Sequence, residues 1–233
     1  MTSNIHPGQH IHLVGIGGSG LSAIARILLG QGYRVSGSDR QSNAQTTALA
    51  AADAVIYDGH AAENIQGADA LIVTSAVKDD HVEVAAALAA GIPVYKRQHI
   101  MADLMVGKKV IAVAGTKGKT TTTSLIVHLL RECGKDPSYI VGGVTGNTGT
   151  NAAVGIGDWF VVEADEYDNM FWGLKPNIAI ITNLEWDHPD FFKTQQDMVD
   201  SFRHLVNLLP EDGLLIACAD DRFAGQLADE RLP

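Results

Sequence analysis

Seven consecutive residues, Gly115-Thr116-Lys117-Gly118-Lys119-Thr120-Thr121, carry the groups that a phosphate chain needs. Glycines let the backbone wrap closely and aim its N–H groups inward, and a following helix N-terminus adds positive potential. Lys119 brings a movable charge, and Thr120 offers a hydroxyl to Mg²⁺. The apolar run Val110 to Ala114 precedes the loop and a helical stretch, Thr121 to Cys133, follows it, which is the strand, loop and helix context such a cradle requires. A nucleoside triphosphate is the predicted ligand, held through Gly115, Thr116, Lys117, Gly118, Lys119, Thr120 and Thr121. An eight-residue Walker pattern would need glycine at position 113. The chain has Val113 there, so the match is to a shorter G-T-x-G-K-T loop.

A second glycine loop, Gly15-Ile16-Gly17-Gly18-Ser19-Gly20, has the G-x-G-x-x-G form between a strand-like and a helix-like run, with Asp39 ending the next strand-like run. By itself the pattern fits NAD, whose ribose an acid about twenty residues on can hold. It requires only that a diphosphate approach a helix N-terminus, and a UDP-sugar meets that condition equally well. Carboxylates gather further on. Glu163-Ala164-Asp165-Glu166-Tyr167-Asp168 follows the strand-like Trp159 to Val162, and Thr182-Asn183-Leu184-Glu185-Trp186-Asp187-His188 ends the next strand-like run. Hard oxygen ligands are thus expected at two neighbouring strand ends facing the phosphate loop. From spacing alone, His188 reads as a general base or a phosphate contact. Tyr167, Phe171 and Trp172 fit either a sugar pocket or a core, and the remaining histidines form no metal pair in the sequence.

The elements that must position these groups alternate along the whole chain. Strands are predicted near Ile11 to Gly15, Arg34 to Ser38, Ala54 to Tyr57, Ala70 to Thr74 and Pro93 to Tyr95, then at Trp159 to Ala164, Ile178 to Thr182 and Leu214 to Cys218. Leu21, Ile24, Leu28 and Leu29 recur at helical spacing, and Val82 to Ala90, His99 to Met105 and Thr194 to Leu208 read as helices. This rhythm predicts α/β architecture with mainly parallel sheets. A polar break at Val106-Gly107-Lys108-Lys109 divides it into residues 1–107 and 108–233. Gly142 to Gly157, rich in glycine, asparagine and threonine, reads as a binding loop or a flexible one.

Composition narrows the function. A 233-residue chain with 46% hydrophobic residues has ample material for packed cores, and a formal charge of -10 argues against a general nucleic-acid binder. Cys133 and Cys218 are too few for a disulfide framework and are expected to be reduced thiols packed as small apolar groups. Met1 to Gly8 lacks the apolar core of a secretory signal and no run is long enough to span a membrane, so a cytoplasmic location with no membrane partner is expected.

The short phosphate loop, joined to the upstream glycine loop, resembles the Mur ligases, the ATP-dependent amide-bond formers of bacterial cell-wall synthesis. Glu163-Ala164-Asp165-Glu166 and the Thr182-Asn183 to Asp187-His188 segment are similar to E-A-D-E and T-N-x-x-x-D-H in the family's central domain. The runs His12 to Ser22, Val35 to Asp39 and Val73 to Val77 look like the first domain of its branch that joins L-alanine to UDP-N-acetylmuramate. The resemblance implies a Rossmann-like first domain holding the UDP-sugar through Gly15, Gly17, Gly18, Ser19, Gly20, Asp39 and Ser75. It also implies a P-loop NTPase-like central domain holding ATP, with Asn183 touching the nucleotide or fixing the loop. Thr120 and Glu163 would bind the Mg²⁺ that bridges the ATP phosphates, and His188 a second Mg²⁺. Lys119 and His188 are the implied catalytic residues of an acyl-phosphate route in peptidoglycan precursor synthesis.

Two departures stand out. Lys117 occupies a position where the alanine-adding branch usually has histidine, and such ligases continue through a C-terminal domain, so the resemblance implies an incomplete central domain that is inactive alone. Within the family the alternative is the recycling ligase that attaches a tripeptide, whose first loop usually lacks the full glycine set that Gly20 completes here. Outside it, the alternatives are an NAD-dependent oxidoreductase, which leaves the Gly115 to Thr121 loop unused, and a non-catalytic nucleotide-binding module.

Overall fold

The computed structural model describes residues 5–74 and 76–231. Its chain separates into two compact units, one of residues up to Leu104 together with Asn151–Val154, the other of Met105–Thr150 together with the residues from Gly155 onward. The first contains β1 (His10–Val14), α1 (Ser19–Gly30), β2 (Arg34–Asp39), α2 (Ala44–Ala50), β3 (Val55–Asp58), β4 (Ala70–Val73), α3 (Val82–Ala89), β5 (Val94–Lys96) and α4 (Arg97–Leu104). Its five strands are all parallel and lie in the order β3-β2-β1-β4-β5. Parallel strands buried on both faces call for nearly continuous apolar runs, which is why β4 reads Ala-Leu-Ile-Val with every residue buried. The first crossover, α1, sets Leu21, Ile24, Ile27 and Leu28 against the sheet at no more than 3% exposure. Leu29 is only half-buried, because the apolar stripe of a 3.6-residue helix passes through Ile27 instead.

In the second unit are β6 (Lys109–Ala114), α5 (Lys119–Glu132), β7 (Ser138–Ile140), β9 (Trp159–Glu163), β10 (Ile178–Ile181), α6 (Gln195–Asn207), β11 (Leu214–Ala217) and α7 (Arg222–Arg231). The two-residue strand β8 (Ala152–Ala153) groups with the first unit, beside α1. Strands of the second unit are parallel and run β11-β10-β6-β9-β7. The expected α/β class with parallel sheets is therefore what the chain adopts. In each sheet the strand carrying a glycine loop, β1 or β6, lies between neighbours reached by opposite crossovers, the switch point at whose carboxyl end α/β folds place ligands.

Two expectations need correcting. Cys133 and Cys218 are exposed rather than packed. The first follows the last turn of α5 and the second follows the edge strand β11, positions that the core does not reach. His60 and His81, read as isolated in the sequence, meet in space with ring centroids 4.5 Å apart, because the segment after β3 and the N-terminus of α3 converge. Among the described residues no helix is long and apolar enough to cross a membrane.

Candidate functional site

The glycine loop of the first unit leaves β1 by turning onto α1. Gly17 donates its N–H to the Asp39 carboxylate at 2.8 Å, and a Cβ on Gly17 would come within 2.8 Å of the same carboxylate, so the loop and the end of β2 approach too closely for a side chain. Asn43, which caps α2, donates to the Gly17 carbonyl at 3.2 Å. Gly15, Asp39, Arg40, His60, Lys78 and His81 border a cleft of about 450 Å³. Gly18 is the N-cap of α1, Ser19 and Gly20 begin the helix, and Asn151 donates to the Ser19 carbonyl at 3.0 Å. Ser75 lies outside the described residues.

Beneath that cleft is a buried polar network that sequence reading missed. Glu83 is fully buried. It accepts from the Ser38 hydroxyl at 2.6 Å and the Asn64 amide at 2.7 Å, with His60 Nδ1 at 3.2 Å and His12 Nε2 at 3.7 Å. Burial pushes its carboxyl up, but the His12 ring, the Ser38 hydroxyl and the Asn64 amide outweigh burial and hold it down to about 2. His60, His81 and Glu83 have the types of a metal cluster. The Glu83 oxygens are already occupied by the Ser38 hydroxyl and the Asn64 amide, while among the described residues the buried His12 Nε2 finds no hydrogen-bond partner, its nearest acid oxygen being Glu83 at 3.7 Å. The available signal was a single acid within the alanine- and valine-rich run Val82 to Ala89.

In the second unit the Gly115 to Thr121 loop joins β6 to α5. A Cβ on Gly115 would collide with the Thr182 hydroxyl, and its φ of +133° suits only glycine. The segment after β10 grips this loop from one side. Thr116 N–H donates to the Asn183 carbonyl at 2.9 Å, Lys117 N–H donates to Asn183 Oδ1 at 3.0 Å, and Asn183 Nδ2 donates back to the Lys117 carbonyl at 2.9 Å. The Asn183 side chain is thereby committed to holding the loop. Gly118, in the left-handed region, is the N-cap of α5, so Lys119 and Thr120 open the helix. Thr121 lies in its first turn, exposed. Lys117 pairs at the surface with Asp187 at 3.2 Å.

From the other side, β9 presents the acids. Thr120 donates its hydroxyl to Glu163 Oε1 at 3.0 Å, and Gly142 N–H donates to Glu163 Oε2 at 2.7 Å. Lys119 Nζ donates to the Gly115 carbonyl at 2.6 Å and lies 3.0 and 2.9 Å from the two oxygens of Glu166, which is 1% exposed. His188 Nε2 is 3.6 Å from Glu166 Oε1, and its ring packs edge-on against Tyr167. Burial pushes the Glu166 carboxyl up, with Lys119 acting against it. The chain is bent sharply here: Asp168, Asn169 and His188 all have positive φ, between 52° and 55°. Non-glycine residues in this region cost energy and cluster at sites where the surroundings impose them. Of the three aromatic candidates only Tyr167 reaches the site. Phe171 is core, and Trp172 stacks on His204.

A Mg²⁺ ion takes hard oxygen donors. The Thr120 hydroxyl and Glu163 carboxylate, converging from neighbouring elements, fit that preference. His188 stands apart from this pair, beside Glu166. Glu166 itself is the residue of this site to which sequence reading gave no role, although it lies within the acidic run.

Comparison with known proteins places these features together. Residues 10–109 match the model of the Mur ligase family catalytic domain, and residues 113–232 that of the Mur ligase middle domain. UDP-N-acetylmuramate--L-alanine ligase of Roseiflexus sp. is 48% identical over 95% of this chain and 47% of its own length. The ligase of the same name from Renibacterium salmoninarum is 45% identical over 99% of this chain and 50% of its length. Among solved structures, UDP-N-acetylmuramate:L-alanyl-gamma-D-glutamyl-meso-diaminopimelate ligase of Neisseria meningitides superposes with a TM-score of 0.89 at 30% identity, over 96% of this chain and 75% of that one. MurC, the UDP-N-acetylmuramate-alanine ligase of Thermotoga maritima, gives 0.85 at 32% identity, over 94% and 51%. The chain spans about half the length of the curated relatives it matches. With two family models in succession covering nearly all of it, the chain belongs to the Mur ligase family.

Proposed function

We propose that this chain supplies the UDP-N-acetylmuramate-binding and ATP-binding parts of a ligase that joins L-alanine to UDP-N-acetylmuramate. The observation that carries the reading is the convergence of the ends of β9, β6 and β10 on one loop, so that Lys119, Thr120, Glu163, Glu166 and His188 occupy a single site. In the proposed reaction a substrate carboxylate oxygen attacks the γ-phosphorus of ATP, the bond to ADP breaks, and an acyl phosphate forms. The L-alanine nitrogen then attacks the acyl carbon, phosphate departs, and the nitrogen loses a proton. Lys119 and the loop N–H groups stabilise charge on the transferring phosphoryl oxygens, where most catalytic benefit in such transfers arises. Thr120 and Glu163 would hold a Mg²⁺ that neutralises phosphate charge when bound. His188, held in its strained turn beside Glu166, would contact the reacting end of the substrate. Arg40 and Lys78, beside the first glycine loop, suit the diphosphate of a UDP-sugar.

Calorimetry tests the assignment of two sites. The chain should bind ADP and UDP-N-acetylmuramate independently, and Lys119→Ala should weaken the first while leaving the second nearly unchanged. Equal loss of both ligands would overturn the reading. The TM-score of 0.89 to a tripeptide-adding ligase favours a second reading, in which the amino component is a peptide. The higher identity to alanine-adding relatives supports L-alanine. Following phosphate release from the full-length form with L-alanine or with tripeptide separates the two.

A further inference from the structure

We infer that Glu166 is a positioning residue that competes with nucleotide phosphates for the Lys119 ammonium, and so sets how tightly the loop takes its nucleotide. The inference rests on the ATP-binding reading of this loop. Lys119 sits in the Gly115 to Thr121 loop, yet its ammonium is turned toward protein: two contacts to the loop's own carbonyls, Gly115 at 2.6 Å and Thr116 at 3.4 Å, and two to Glu166. Glu166 is buried, and Lys119 is the only charged donor within 3.5 Å of it among the described residues, His188 Nε2 standing off at 3.6 Å. A carboxylate held in this way pulls Lys119 back against the loop and away from an approaching phosphate. It also keeps the lysine stem ordered, at 15% exposure, so that the ammonium has a short distance to travel between two anions.

The arrangement separates Glu166 from Glu163. Glu163 is engaged by the Thr120 hydroxyl and the Gly142 amide, and in the proposed site it would hold Mg²⁺. Glu166 is engaged by a cation that the phosphates also seek. Neutralising Glu163 should therefore weaken Mg²⁺-dependent nucleotide binding, whereas neutralising Glu166 should strengthen binding of nucleotide alone. A merely structural acid predicts no gain in affinity from its removal.

The test measures ADP and ATP binding to the 233-residue chain by calorimetry, with and without Mg²⁺, for the wild type, Glu166→Gln, Lys119→Ala and the double variant. Glu166→Gln should bind ADP without Mg²⁺ about tenfold tighter than the wild type, since one strong charge-assisted contact is released to the phosphate. In the Lys119→Ala background the same change should alter affinity by less than about twofold, because the effect runs through Lys119. Glu166→Asp, which keeps the charge but withdraws it from Lys119, should give a smaller gain and serves if Glu166→Gln does not fold. An unchanged or weaker affinity in the glutamine variant, or in the aspartate variant where that one serves, overturns the inference, as does a gain that persists without Lys119. A wild type that binds no nucleotide would instead overturn the ATP-binding reading, and the inference with it.

Discussion

Two buried glutamates, one in each unit, are held in opposite ways. Glu83 is fixed by donors from Ser38 and Asn64 with the His60 and His12 rings beside it, on several elements, and its carboxyl is held down to about 2. Glu166 relies on one cation, the ammonium at the end of the long Lys119 stem, and burial pushes its carboxyl up. An anion surrounded by several fixed dipoles has no need of another partner and anchors the fold. An anion balanced by one mobile cation can exchange that cation, and it is the second kind that stands beside a phosphate loop. Burial alone therefore does not separate the two acids; what separates them is whether the partners are fixed dipoles or a single exchangeable cation.

The largest expected effect breaks the mobile pair. Lys119→Ala leaves Glu166 buried without its cation and should lower folding stability by about 3 kcal/mol, while phosphate affinity falls by a further 1.5 to 3 kcal/mol or so. Urea denaturation at neutral pH reads the first quantity, and adding Glu166→Gln should restore most of it. Stability equal to wild type in Lys119→Ala would show that Glu166 is not held as a charge.

Acid titration probes the fixed network. The Glu83 carboxyl is lower in the folded chain than the ordinary glutamate value of 4.5, so its stabilising contribution is fully present above about pH 4.5 and is lost as pH falls toward about 2. The contribution is on the order of 3 kcal/mol, given about 1.4 kcal/mol for each pH unit of displacement. Glu83→Gln should flatten the stability profile across this window, measured as urea midpoints at several pH values between 6 and 2.5. An unchanged slope would assign the acid sensitivity to other carboxylates.

What could be read in advance follows the same division. Strand and helix runs, the two glycine loops and the carboxyl-end acids are local patterns, and periodicity with glycine spacing exposed them. The partners of Glu83 on α3 are spread over β1, β2 and the segment after β3, so no spacing in the chain announces them. Glu166 was visible as one of four acids in six residues, but only its burial against Lys119 in the folded chain distinguishes it from Glu163, Asp165 and Asp168. The cysteines were misjudged because composition says what a thiol prefers, not where a helix end or an edge strand leaves it.

A smaller effect separates Glu163, the acid proposed to hold Mg²⁺, from both buried ones. Glu163→Gln should raise the Mg²⁺ concentration needed for half-maximal nucleotide binding about tenfold, roughly 1.4 kcal/mol, because an amide is a poorer ligand than a carboxylate. Affinity for nucleotide without Mg²⁺ should change little. A loss of equal size with and without Mg²⁺ would move Glu163 out of the metal site.

The finest comparison sets two helix caps side by side, one bonded to a glycine loop and one with no such bond in the other unit. Asn43 caps α2 with a reciprocal bond to Thr46, and Thr194 caps α6 in the same manner with Asp197. Replacing either by alanine leaves first-turn N–H groups unsatisfied and should cost about 1 kcal/mol of stability. Only Asn43 also donates to the Gly17 carbonyl, which ties its cap to the loop beside Asp39. Asn43→Ala should therefore weaken UDP-N-acetylmuramate binding severalfold at a stability loss matched by Thr194→Ala, whose affinity stays at the wild-type value. If both variants bind the nucleotide sugar equally well, the Gly17 loop keeps its shape without Asn43, and the Asp39 contact alone is what positions it.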